Sequence, residues 1–98
     1  MFKIDYDLDG HTQLKLTQSG LKSLGQIWNV VPKFKRGSLV KKDEAIFTFE
    51  VTSGLKNILC PVSGKVFDYA ESMCLETPEK ISEYTTLVTL TGVNSGAM

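Results

Sequence analysis

An excess of charge of either sign is missing from this sequence: its 11 basic and 11 acidic side chains cancel over 98 residues. That balance argues against a nucleic-acid binder, whose affinity comes largely from neutralising phosphates. The local basic runs, Lys33 with Lys35 and Arg36, and Lys41 with Lys42, read as solvated loops rather than phosphate sites. Long apolar runs are also absent, so no segment reads as a membrane-spanning helix. Met1 to Asp9 holds three acidic residues and no apolar stretch, which is not the pattern of a secretory signal. A cytoplasmic location is therefore expected, with Cys60 and Cys74, the only cysteines, as free thiols. Cys60, Cys74 and the single histidine, His11, are too few and too widely spaced for a zinc site, so no metal is expected.

What is present is a series of short alternating segments punctuated by turn residues. Asp9-Gly10 marks a turn, and Gln13 to Thr17 then alternates polar and apolar side chains as a half-buried strand does. A short helix is predicted next, with Ser19 as N-cap, Leu21 and Leu24 on one face and Gly25 as the C-terminal cap. Gln26 to Val31 reads as a strand stopped by Pro32, and Lys33 to Gly37 as a polar loop. The clearest alternation follows, with Ala45, Phe47, Phe49 and Val51 on one side and Ile46, Thr48, Glu50 and Thr52 on the other. Ser53-Gly54 has the character of a hairpin tip, because glycine readily takes the positive φ such turns need. Asn57 to Cys60 would be the returning strand, and Pro61 to Gly64 a second turn leading into a strand over Lys65 to Tyr69. Thr77-Pro78-Glu79 fits a helix start capped by Thr77, and Thr86 to Leu90 a last strand.

Short strands with few helix-length segments predict a mostly-β sandwich or barrel. The expected organisation is a lead-in over 1–9, a single domain over 10–92 and a loose tail over 93–98. Two glycine-anchored stretches, around Gly37 and Gly64, each precede a strand and hint at a pair of related half-sheets. Trp28, Phe47, Phe49 and Phe67 are expected in the core or half-buried on a sheet. Phe34 is a loop aromatic, either exposed or folded back. No general base with a partner is visible, Cys60 reads as a packed thiol and Ser53 as a turn serine, so no catalytic residue is expected.

Several segments taken in register resemble the glycine cleavage H protein. They are Leu24-Gly25-Gln26-Ile27, Gly37-Ser38-Leu39-Val40-Lys41-Lys42, Glu50, Cys60-Pro61-Val62-Ser63-Gly64-Lys65-Val66, and Leu75-Glu76-Thr77-Pro78-Glu79-Lys80-Ile81. The resemblance spans roughly Gly10 to Leu90. It implies the barrel-sandwich hybrid of lipoyl and biotinyl domains, a flattened β-barrel of two small sheets with one or two short helices. H proteins carry lipoate on a lysine at a hairpin tip and shuttle an aminomethyl group between the enzymes of glycine decarboxylation. Their tip follows a Glu-Ser-x-Lys-like motif. Here that motif is Glu50-Val51-Thr52-Ser53, and the resemblance sets Ser53 at the lysine's position. Asp43 likewise stands where the family has glycine, and the family's Gly-rich loop before the last strand and its C-terminal helix are absent. Lipoate is held as an amide, which needs an amine nucleophile; a serine hydroxyl gives only an ester and lacks the long stem.

Three readings follow. The first is a non-lipoylated, H-protein-like interaction or regulatory module with no cofactor. It would meet a protein partner, a glycine-cleavage or lipoate-metabolism enzyme being one option, through Glu50, Thr52, Ser53 and Gly54. An open sheet edge would also allow a homo-oligomer. The second is a carrier in glycine cleavage or lipoate relay, modified at Lys56 or unmodified. The third is an enzyme using Cys60 or His11. Neither nucleic acid nor membrane is an expected partner, and the first reading is the one adopted.

Overall fold

The computed structural model describes residues 1–6, 9–69 and 78–94. Its alternating segments form two antiparallel sheets packed face to face. The larger sheet has the order β1-β2-β8-β7-β4, built from β1 (Phe2–Tyr6), β2 (Thr12–Leu16), β4 (Leu39–Val40), β7 (Ser63–Tyr69) and β8 (Val88–Asn94). The smaller has the order β3-β5-β6, from β3 (Ile27–Pro32), β5 (Ala45–Val51) and β6 (Gly54–Leu59). One short helix, α1 (Gln18–Leu24), carries the chain from β2 to β3, and a 3-10 turn (Pro78–Lys80) lies before β8. This is the mostly-β, lipoyl-domain-like barrel-sandwich hybrid expected from the sequence.

Alternation explains most of the packing. Leu14 and Leu16 of β2 and Phe47 and Phe49 of β5 point inward and are fully buried, together with Val66, Val88 and Leu90. Phe47 sits at the centre, its ring 5.8 Å from Phe49, 6.3 Å from Phe2 and 5.6 Å from Tyr69. Aromatic pairs at such spacings add to the stabilisation from area burial alone. Phe34 folds back against this core, and its carbonyl oxygen accepts a hydrogen bond from the Tyr69 hydroxyl.

Several expectations are corrected. The N-cap of α1 is Thr17, not Ser19: the Thr17 Oγ1 accepts the Gly20 N–H at 3.0 Å, and Ser19 lies inside the first turn. The C-terminal cap is Gly25, as expected, at φ 70° with its N–H donating to the Leu21 carbonyl. Ile46 does not face outward with Thr48. A register shift between Ala45 and Phe47 breaks the alternation there and buries Ile46 completely. Ser63 and Gly64 belong to β7 rather than to a turn, which is confined to Pro61 and Val62. The Gly37 and Gly64 stretches do not found separate half-sheets; they pair as neighbours in one, Leu39 with Lys65 and Val40 with Gly64. The last strand begins at Val88 and continues to Asn94, inside the segment expected to be a tail. Positions 1–9 contain β1, paired with β2 along its whole length and fastened by Lys15 to Asp5 at 3.1 Å. That ammonium's hydrogen bond holds the Asp5 carboxyl below the usual carboxylate range. Thr77, Cys74 and positions 95–98 lie outside the described residues.

Candidate functional site at a hairpin tip

The β5–β6 hairpin is the element on which the sequence concentrates its candidate residues. Inward Phe47, Phe49 and Val51 root β5 in the core, so its register is set by burial. The strand then reverses through a two-residue turn, Thr52-Ser53, with Val51 paired to Gly54. Both turn residues are exposed. Among the described residues, the only non-glycine with positive φ is Asp43, so neither Thr52 nor Ser53 takes a left-handed conformation. The left-handed residue of the reversal is Gly54, at φ 121°. Side chains with a Cβ rarely adopt that value. The tip thus presents two hydroxyl side chains on a short reversal with a rigid base.

Glu50, Thr52, Ser53 and Gly54 are brought together here, and Lys56 is not. Lys56 lies within β6, opposite Phe49, so it belongs to the row on the other side of the sheet from Glu50. Glu50 instead shares a cross-strand row with Asn29 of β3 and Leu55 of β6. Next to that row, Thr48 Oγ1 donates to Asn57 Oδ1 at 3.0 Å.

Beside the tip runs an open groove of about 340 Å³ lined by Trp28, Glu50, Val51, Thr52, Gly54 and Leu55. Trp28 is 60% exposed rather than in the core, and the cause is local. Ile27 pairs with Val51 and Asn29 with Glu50, so Trp28 is the extra residue of a bulge. A bulge re-aims the side chain it carries, which in Trp28 has left the core. Nothing in the sequence announces a bulge, and this residue was therefore missed. Leu55 was missed with less reason, because a residue two beyond Ser53 in a two-residue hairpin must share a face with Glu50. Phe67 is a second correction: it is 53% exposed and stacks on His11, with ring centres 4.5 Å apart.

The other candidate chemistry is structural in its setting. Cys60 is wholly buried and its thiol donates to the Val62 carbonyl at 3.1 Å. Burial pushes this thiol up from its ordinary value of 9.0, outweighing the Val62 hydrogen bond, and burial likewise raises the Tyr69 phenol from 10.0. A thiol kept protonated is a poor nucleophile. Both groups hold their protons in the folded chain at pH values where the unfolded chain has released them. Stability from these shifts is therefore present below about 9 and lost as pH rises beyond it. Urea midpoints should fall progressively above pH 9.0, and the first part of that fall should flatten in Cys60→Ala. An unchanged slope in the variant would remove Cys60 as its source. Among the described residues no group of three His, Cys, Asp or Glu side chains is placed to hold a metal ion, and no helix is long and apolar enough to cross a membrane.

The same fold is found in a glycine cleavage system H protein from Mycobacterium marinum. The two align with a TM-score of 0.72 at 22% identity, over 88% of this chain and 71% of that one. No protein-family model matches the chain, and no curated protein matches it.

Proposed function

We propose that the chain is a non-lipoylated, H-protein-like interaction module that offers the Glu50–Gly54 tip to a protein partner. The observation that carries this reading is the chemistry of the tip. Its turn, Thr52-Ser53, supplies hydroxyls, and the nearest lysine on the hairpin, Lys56, lies inside β6 on the side opposite Glu50. A lipoyl amide needs an amine at the end of a reaching stem, so the tip does not fit that group. The fold likeness to an H protein supports a tip that is a presented surface. The likeness to a glycine cleavage system H protein supports an enzyme of glycine cleavage as one partner to test. No catalytic role is proposed for Cys60, whose buried thiol keeps its proton and is a poor nucleophile.

Intact mass after incubation with a lipoate ligase, lipoate and ATP tests the reading, with Ser53→Lys alongside. Wild type should keep its mass, while the variant should gain one lipoyl group because the turn already displays residue 53 to solvent. A lipoyl group on wild type would overturn the proposal in favour of a carrier, and Lys56 would be the first residue to map.

A further inference from the structure

The groove beside the tip lies against an open sheet edge. In the order β3-β5-β6, strand β6 has no neighbour on its outer side among the described residues. All its residues except Ile58 are exposed, Leu55 to the extent of 70%. An edge of this kind carries unpaired backbone N–H and C=O groups that an added strand can satisfy. Natural edges are usually guarded by charge. Here the one charged residue of β6, Lys56, is aligned with Phe49, leaving the Leu55 side of the strand without a guard.

That unguarded side has a chemical preference. Glu50 lies in the row next to Leu55, and its carboxylate has no hydrogen bond or ion pair among the described residues. The basic side chains with ion pairs, Lys3, Lys15 and Arg36, are committed to Glu83, Asp5 and Asp68. The indole of Trp28 lines the same groove. A carboxylate and an indole face both attract a cation, while the exposed Leu55 offers apolar surface to the methylenes behind it. A groove of about 340 Å³ accommodates one long side chain of this kind.

We infer that β6 accepts an extended segment of a partner protein as an added strand, and that a lysine or arginine of that segment enters the Trp28–Glu50–Leu55 groove. This rests on the reading of the chain as an interaction module and specifies its partner. The added strand supplies backbone hydrogen bonds, and the groove selects the basic residue and so fixes the register.

The probe is a capped peptide, Thr-Val-Lys-Val-Thr, titrated against the full chain. Trp28 is the only tryptophan, so its emission reports on the groove directly. The lysine peptide, or its arginine counterpart, should shift that emission and perturb the amide resonances of β6. Glu50→Gln, an exposed and isosteric change, should weaken binding about tenfold, as loss of one charge-assisted contact implies. A glutamate peptide and a peptide N-methylated at every residue, which can donate no backbone hydrogen bond to β6 in either strand direction, should both be silent. The inference is overturned if neither basic peptide binds at millimolar concentration, if the glutamate or N-methylated peptide binds equally well, or if Glu50→Gln leaves affinity unchanged. It is also overturned if β6 resonances move on dilution of the chain alone and no peptide binds, since a second copy then occupies the edge. These failures leave the mass result at residue 53 untouched, and a lipoylated wild type would sink the parent reading whatever the groove does.

Discussion

Phe47→Ala should destabilise the domain by about 3–5 kcal/mol, the range for emptying a buried phenylalanine site. Phe47 is fully buried and meets the rings of Phe2, Phe49 and Tyr69, which come from β1, β5 and β7. Its removal leaves a void bordered by both sheets, and neither can close on it without dragging the other. A domain of this size has roughly 5–15 kcal/mol of stability in total. The variant should therefore lose about 2 M from its urea midpoint at a typical slope for small domains. Phe47→Leu, which keeps most of the volume, should recover more than half of that loss. A midpoint shift for Phe47→Ala below about 0.5 M would mean that the sheets do not depend on this ring to hold together.

Gly54→Val should act on the candidate site as well as on stability. At φ 121° a side chain with a Cβ is strained, and a β-branched one most of all. The expected loss is roughly 1–3 kcal/mol, the usual range for a residue forced into such a region. Relief of that strain would open the reversal and undo the Val51 to Gly54 pairing that displays residues 52 and 53. The consequence is a test with two readouts. Thermal unfolding should show the lower stability, and the double variant Ser53→Lys with Gly54→Val should accept lipoate far more slowly than Ser53→Lys alone. If the double variant is modified at the same rate, the reversal does not depend on its glycine.

The hairpin was legible in the sequence because burial and turn chemistry agree there. Phe47, Phe49 and Val51 define one face at a period of two, and the only glycine nearby falls where the chain must reverse. The site's neighbour was not legible, since the bulge that turns Trp28 outward is a matter of register between two strands. No local pattern in Ile27 to Pro32 encodes it. Ile46 was misassigned for the same reason. The helix cap was misplaced because Thr17 and Ser19 are both good capping residues, and their choice is settled by the strand before them. The Thr17 N–H is already tied to the Met1 carbonyl at 2.8 Å, which ends β2 there. β1 went unread as a strand because its side chains show no alternation of burial, and only its pairing with β2 makes it one.

The loop from Lys33 to Gly37, which joins the small sheet to the large one, is fastened at both ends. At its start the Lys33 N–H bonds to Ile46 of the small sheet, and at its end the Gly37 N–H bonds to Val66 of the large one. Between them Tyr69 holds Phe34, and Arg36 reaches Asp68 at 3.0 Å. Such a loop behaves as a rivet rather than a tether. The sheets cannot slip past each other by one residue while it is intact, because the same short span of chain is indexed to a fixed position in each. Loosening of the sandwich must then begin elsewhere along its rim, and the lateral alignment of the two sheets is among the last things the molecule gives up.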